Sequence, residues 1–357
     1  MLGRLWRSAR PPAPRSPREL LLALRAYDKS KGLDEFLSRF DFTGVTPHQV
    51  YYSVLGRLPE SAQFAQERPG YEPLAHYRAE ILGTEFQSKL VPYVVNAFPE
   101  KKRLFFVHVP KCAGSDLAAH LRHQYGNAYF SLFDQTPAQL LPLSRLSQLQ
   151  ALVTGLAAKD TVAVSGHLRL DLMFNERLTR FGDVIFSVVR DPLEISISMV
   201  NFVLTHLLSE HSRQNPGIVE WLEMLGLGSV DTQLTTEQTR QMALRLLRDP
   251  KIVLPNHLCH FLGRGDVAST IDLCAATHIE LTTVSRYEVW LKQRWDVAQS
   301  LHANESRKYL HLTDLSEDDR AYLYDITRED RLLYEKIDRV LTRTGRASLF
   351  GAELADA

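Results

Sequence analysis

Residues 105–121 read FFVHVPKCAGSDLAAHL. The run Leu104 to Val109 is apolar and of strand length, and it stops at Pro110, which cannot donate to a sheet ladder. Lys111 follows, then a loop through Gly114 and Ser115, then a helix carrying Leu117 and Leu121. Strand, tight loop and helix in that order build an anion site. The free N–H groups at the helix start point at a ligand, the helix dipole adds positive potential, and Gly114 permits close approach. Ser115 can serve as N-cap and as phosphate donor. A nucleoside-triphosphate loop would read GxxxxGK[ST], with lysine directly before the hydroxyl residue. Here lysine stands four residues before Ser115, and the hydroxyl-after-lysine arrangement that holds Mg²⁺ is missing. The competing structural reading is an ordinary strand-to-helix turn with an exposed lysine.

Two further stretches lie downstream. DVIFSVVRDPLEISISMV (183–200) places Arg190 at the end of an apolar strand, Pro192 in the first turn of a helix and Ser198 about two turns along. Arginine offers a planar fork for phosphate, and a helical hydroxyl can complete the coordination. Asp191 reads as the local N-cap. VAVSGHLRLDL (162–172) places His167 just after another apolar strand, where a parallel sheet presents active-site residues. An imidazole titrating near neutrality suits a general base. His108 is a weaker candidate, which strand alternation could set under the loop as a support, and Asp171 is the reserve base.

VHVPKCAGSDL (107–117) resembles the 5′-phosphosulfate loop of carbohydrate sulfotransferases, which use 3′-phosphoadenosine-5′-phosphosulfate (PAPS). The resemblance implies that Lys111 contacts the transferring sulfuryl and the bridging oxygen. It also implies that the loop Lys111, Cys112, Ala113, Gly114 and Ser115 binds the 5′-phosphate. Asp116 departs from the family pattern, where a hydroxyl residue often stands. A carboxylate beside phosphate would repel it unless turned away, so Asp116 is placed outside the site. RDP followed by Ser198, eight residues after Arg190, is similar to the family's 3′-phosphate element. Ile195 stands where many relatives carry arginine. Relatives acting on uronic-acid-containing glycans have a Gly-His element like Gly166-His167 with a catalytic histidine. LPNHLCHFLG, with His257, resembles a segment near the acceptor cleft. NESRKY and the stretch 315–337 resemble the closing loop and helix, which makes Arg307 and Lys308 nucleotide contacts or, equally, a solvated charge pair. The likeness runs from about Arg103 to Asp338.

Around this core the chain of 357 residues has room for one α/β domain and a smaller module. Its 42 basic and 42 acidic residues cancel, so no global field points to nucleic acid or an anionic membrane. Cys112, Cys259 and Cys274 are odd in number and widely spaced, fitting neither a disulfide framework nor a zinc site. No stretch reaches the roughly 18 apolar residues of a membrane span. Residues 1–18 read as a disordered basic tail. Residues 19–100 read as a helical module, with helices over Glu19 to Phe40, after the Thr46-Pro47 cap, and over Leu74 to Leu90. YYSVLGRLPESA and HYRAEILGTEFQ resemble a small helical domain that accompanies bacterial glycan-modifying enzymes. Residues 101–345 read as a mainly parallel α/β sheet flanked by helices, the P-loop-like sulfotransferase fold, with strands at Leu104–Val109, Val162–Ser165, Val184–Val189 and Glu280–Val284 and a helical insertion at about 201–250.

The expectation is therefore a cytoplasmic, bacterial enzyme that moves a sulfuryl group from PAPS to a hydroxyl of a saccharide or similar acceptor, with no metal required. Its alternatives are a noncatalytic glycan-binding or assembly protein on the same scaffold and a nucleotide-dependent phosphotransferase.

Overall fold

A computed structural model describes residues 10–27, 32–59, 70–83, 96–131, 154, 158–167, 169–175, 182–228, 233–296 and 307–355. The chain divides into two compact units, one of residues 1–104 and 121–164, the other of residues 105–120 and 165–357. The division thus crosses the strand and the helix of the opening motif instead of falling at residue 100.

In the first unit, α1 (Pro17–Arg25) starts at the Ser16 cap and buries Leu20, Leu21 and Leu24. The single helix expected over residues 19–40 is two, because α1 closes at Ala26 and α2 (Gly32–Ser38) begins at a left-handed Gly32. α3 (Pro47–Leu55) carries a full capping box between Thr46 and Gln49 and ends on left-handed Gly56. α4 (Pro73–Leu82) is shorter than expected, since Gly83 turns extended and ends it. Phe86 and the rest of the expected helix lie outside the described residues. The tail assignment also fails beyond residue 10. Asp41 accepts from the Ala13 N–H and donates to the Pro11 carbonyl, Ala13 is buried, and the Tyr77 hydroxyl reaches Pro14 at 3.5 Å. Prolines without N–H groups can still pair through their carbonyls and neighbours, which is how this stretch is held.

Six strands form one mostly parallel sheet: β1 (Lys102–Val107), β2 (Tyr129–Ser131), β3 (Thr161–Gly166), β4 (Val184–Val189), β5 (Glu280–Thr283) and β6 (Leu349–Phe350), in the order β2-β3-β1-β4-β5-β6. Past their first residue β1, β3 and β4 are buried at every position, as strands covered on both faces must be. β4 runs parallel to β5 with Phe186 opposite Glu280 and Val189 opposite Thr283. β6 lies beyond residue 345 and pairs antiparallel with β5, Leu281 opposite Leu349. It and β2 were missed in the sequence because two or three residues show no periodicity.

The connecting helices are α5 (Gly114–Tyr125), α6 (Leu170–Asn175) and α7 (Pro192–Leu207). After α7 come a short turn of helix at Glu210–Arg213, then α8 (Pro216–Met224) and α9 (Thr236–Leu247). The expected insertion therefore begins after residue 207, because α7 runs unbroken across residue 201. Its helices pack on α7 through Val203, Leu204, Leu207, Leu222, Leu246 and Leu247. α10 (His257–Leu262), α11 (Val267–Thr277), α12 (Tyr287–Trp295), α13 (Glu317–Ile326) and α14 (Arg328–Thr344) follow, and after β6 comes a last helical turn at Ala352–Ala355. Among the described residues no helix is long and apolar enough to cross a membrane.

Candidate functional site

In the sheet order β1 lies between β3 and β4. The chain leaves β1 for one side, forms β2 and β3 there, and then crosses to β4 on the other side, the kind of strand-order reversal at which open α/β sheets bind ligands. His167 and Arg190 directly follow β3 and β4, and Lys111 comes four residues after the end of β1. All three belong to the second unit. The rings of His108 and His167 are 4.5 Å apart, and an Arg190 N–H lies 3.5 Å from the Lys111 carbonyl.

The loop itself has a backbone that its sequence did not announce. Lys111 and Ala113 have φ of 66° and 58°, left-handed values that side chains other than glycine seldom adopt. The hand alternates through Lys111, Cys112 and Ala113 at the N-terminus of α5, the backbone pattern of an anion nest, although the Cys112 N–H itself donates to the Val109 carbonyl at 3.3 Å. Gly114 is needed here for space. A Cβ on it would lie 1.6 Å from the Nε2 of buried His108, so His108 is the support under the loop. Phe106 stacks on the other side of that ring, 5.3 Å away at 14°.

Ser115 is exposed at the start of α5, whereas the Cys112 side chain is buried and its thiol pushed far up in pKa by burial. Asp116 turns away from the loop. It accepts a 2.8 Å hydrogen bond from the Tyr287 hydroxyl and lies 3.4 Å from His120, so its carboxylate does not face the nest. Burial, and secondarily Arg190, lowers the Lys111 pKa to about 8. Its ammonium rests 4.1 Å from the centre of the Phe202 ring.

Arg190 is partly committed elsewhere. Its Nε donates to Glu194 at 2.9 Å, one turn into α7, so a phosphate would compete with that carboxylate for the guanidinium. Asp191 caps α7, accepting from the N–H groups of Leu193 and Glu194 at 2.9 and 3.2 Å. Ser198 lies two turns along, partly exposed, and Ile195 is buried in the core. One turn past Ser198, Asn201 holds the segment after Arg307 and Lys308. Its Oδ1 accepts from the N–H groups of Tyr309 and Leu310, both at 2.9 Å, and its Nδ2 donates to the Leu310 carbonyl. Arg307 and Lys308 are exposed, and the Arg307 guanidinium lies 5.3 Å from the Tyr309 ring centre.

The histidines differ from expectation in their ionisation. Crowding around the ring first, then His108, His257 and Lys111, lowers His167 below the ordinary imidazole value, although the residue as a whole is exposed to solvent. Burial and Lys111 hold His108 at about 4. The near-neutral titration expected for His167 is thus corrected downward, because its neighbours displace water from the ring and the Lys111 ammonium disfavours a second positive charge beside it. Asp171 is tied to Arg169 through two contacts of 2.9 and 2.6 Å, which leaves it poorly placed as a reserve base.

His257 is the residue that sequence reasoning undervalued. It is buried at the start of α10, with a pKa lowered to about 4 mainly by burial. One ring nitrogen bonds the Pro110 backbone, directly before Lys111, while Nε2 is buried without a partner among the described residues. Its helix is seated by Asp330, fully buried in α14, which accepts from the N–H groups of Leu258 and Cys259 at 2.8 Å each. Asp330 comes 73 residues after His257, so no local signal in the sequence could have joined them. Among the described residues no cluster of side chains fits a metal ion, and Cys112, Cys259 and Cys274 are free and buried.

The class that fold and site define is an α/β protein with a left-handed strand–loop–helix at the crossover of a mostly parallel sheet. No family model matches the chain, and no curated protein matches it with significant similarity.

Proposed function

We propose that this protein transfers a sulfuryl group from PAPS to a hydroxyl of a saccharide or similar acceptor. The observation that carries this reading is the convergence of a left-handed loop bearing Lys111, His167 and the Arg190–Ser198 element on three neighbouring strand ends. In the reaction the acceptor oxygen forms the new S–O bond while the S–O bond to the 5′-phosphate breaks. The acceptor's proton goes to neutral His167, and the electron pair leaves on the bisphosphate oxygen. Lys111 and the loop N–H groups stabilise the charge that develops there, where preorganised donors contribute most. Arg190, released from Glu194, and Ser198 read the 3′-phosphate, and Arg307 and Lys308 approach from the segment Asn201 holds.

An anionic donor would itself raise the depressed pKa of His167 by offsetting Lys111 and Arg190, so the base strengthens when the donor is bound. The test is an acceptor screen with ³⁵S-labelled PAPS against glycans, lipids and tyrosine peptides, alongside competition by adenosine 3′,5′-bisphosphate and ATP. Label transfer that is lost in Lys111→Ala, with the bisphosphate competing far better than ATP, is the expected result. Preferential binding of ATP would turn the reading to a phosphotransferase, and bisphosphate binding without transfer to any acceptor would turn it to a noncatalytic protein.

A further inference from the structure

Lys111 is held in an unusual way for a cation at an anion site. Among the described residues Arg190 is the charged group that acts on it, the buried Cys112 thiol being neutral, and no carboxylate does. Its ammonium lies instead 4.1 Å from the centre of the Phe202 ring. Phe202 follows Ser198 by four residues on α7, so ring and hydroxyl share one face of the helix. The ring is fixed in turn by edge contacts to His206, 4.5 Å between centres at 83°, and by Trp221 of α8 at 5.7 Å. These clamps present the face of Phe202, where the quadrupole is negative, toward the left-handed Lys111.

We propose that Phe202 is a positioning residue that keeps the Lys111 ammonium protonated and aimed at the loop while leaving its charge uncompensated until an anion arrives. A carboxylate in that place would hold the ammonium more tightly but would neutralise it, and the incoming anion would have to displace it. A ring face attracts the cation without carrying net charge, so an arriving phosphate or sulfuryl group meets the full positive charge. The other ionisable groups around the ammonium are Arg190 at the end of β4, His108 and His167 at the ends of β1 and β3, and His206 on α7. The histidines are held neutral at pH 7 and Arg190 repels the ammonium, so none of these supplies the attraction that Phe202 does. The anion half of this inference rests on the donor-site reading above; the ring–ammonium pairing does not.

The experiment replaces Phe202 in the full chain by 3,4,5-trifluorophenylalanine, which is nearly the same size but has its quadrupole cancelled, and compares it with Phe202→Tyr, which keeps it. Lys111 ionisation is read by ¹³C NMR of the reductively dimethylated protein, and melting temperature is recorded as a folding control. The trifluoro protein should lose about threefold or more in Lys111 proton affinity, the size expected of one cation–ring contact, and Phe202→Tyr should stay close to the parent. An unchanged Lys111 ionisation in a folded trifluoro protein overturns the pairing, whatever the nucleotide does. A second arm measures adenosine 3′,5′-bisphosphate binding by calorimetry in Phe202→Leu and Phe202→Tyr. Weakening by several-fold in the first and recovery in the second support the positioning role. Lysine coupling with identical bisphosphate affinity in all proteins overturns the anion half while the pairing and the donor reading stand, whereas no bisphosphate binding by the parent protein overturns the donor reading.

Discussion

At the scale of single residues the loop depends on atoms that touch. Gly114→Ala puts a methyl group where the His108 ring stands, and that ring is closed in by Phe106 and His167. Overpacking of this kind costs about 1–3 kcal/mol, so urea denaturation should show a loss of that order. The double change Gly114→Ala with His108→Ala should regain part of it by removing the obstructing ring, and no regain would mean that the methyl group meets something else. Arg190→Ala should weaken binding of adenosine 3′,5′-bisphosphate by calorimetry much more than binding of adenosine 5′-monophosphate, since the fork serves the added phosphate. Because Glu194 now holds that fork, Glu194→Gln should strengthen bisphosphate binding modestly. Equal losses for the two ligands in Arg190→Ala would show that Arg190 does not read the 3′ position. Lys111, Arg190, Ser198 and His167 could be picked out from the sequence because each falls at a fixed distance from an apolar strand end. The partnership of Arg190 with Glu194 and of Lys111 with Phe202 could not, because side-chain direction depends on the packed helix.

At the scale of elements, α10 is a six-residue helix whose position depends on a distant carboxylate. Asp330→Ala leaves two buried N–H groups without an acceptor, each costing about 1–3 kcal/mol. Thermal melting should drop clearly, and because the helix carries His257 against Pro110, amide exchange should quicken at residues 257–262 and at residues 111–115 of the loop together. Faster exchange in α14 alone would show that Asp330 does not seat α10. His257→Phe tests the other end of the same connection. His257→Phe loses the bond to Pro110, worth about 1 kcal/mol, but also removes an unpartnered buried nitrogen that carries its own desolvation cost, so the melting temperature should stay within a few degrees while turnover falls. A large loss of stability with normal turnover would make His257 a structural residue. Helix starts such as Thr46-Pro47 and Asp191-Pro192 were legible because a cap needs only three or four neighbouring residues. The break between α1 and α2, and the end of α4 at Gly83, were not, since the apolar spacing continues through them.

At the scale of the whole molecule, ionisation and stability are coupled in a direction the shifts define. His108 and His257, both buried, are held at about pKa 4, below the ordinary imidazole value. Above about pH 6.5 they are neutral in folded and unfolded chains alike, and their contribution is complete. Between about pH 6.5 and 4 the unfolded chain binds protons that the folded one refuses, so stability falls as the pH falls, by roughly 3 kcal/mol per histidine. Asp330 acts oppositely, because burial raises it to about 6 and the folded form takes up its proton first. Two histidines outweigh one carboxylate. Urea denaturation at pH 7 and pH 4.5 should therefore show a clear acid loss, with His257→Phe flattening it, and a stability independent of pH would contradict the neutral, buried state of these rings. The sequence alone determined the sheet class, four of its six strands, the strand–loop–helix and the spacing of its cations. Those features are encoded by hydrophobic period and by chain neighbours, which act over a few residues. Tertiary structure alone decided the left-handed loop over His108, the turning away of Asp116, the ring beneath Lys111, the seating of His257 by Asp330 and the depressed histidine pKa values. Each of these depends on which remote side chains exclude water from, or bring charge to, the same small volume, and that is set only when the strands have taken their order in the sheet.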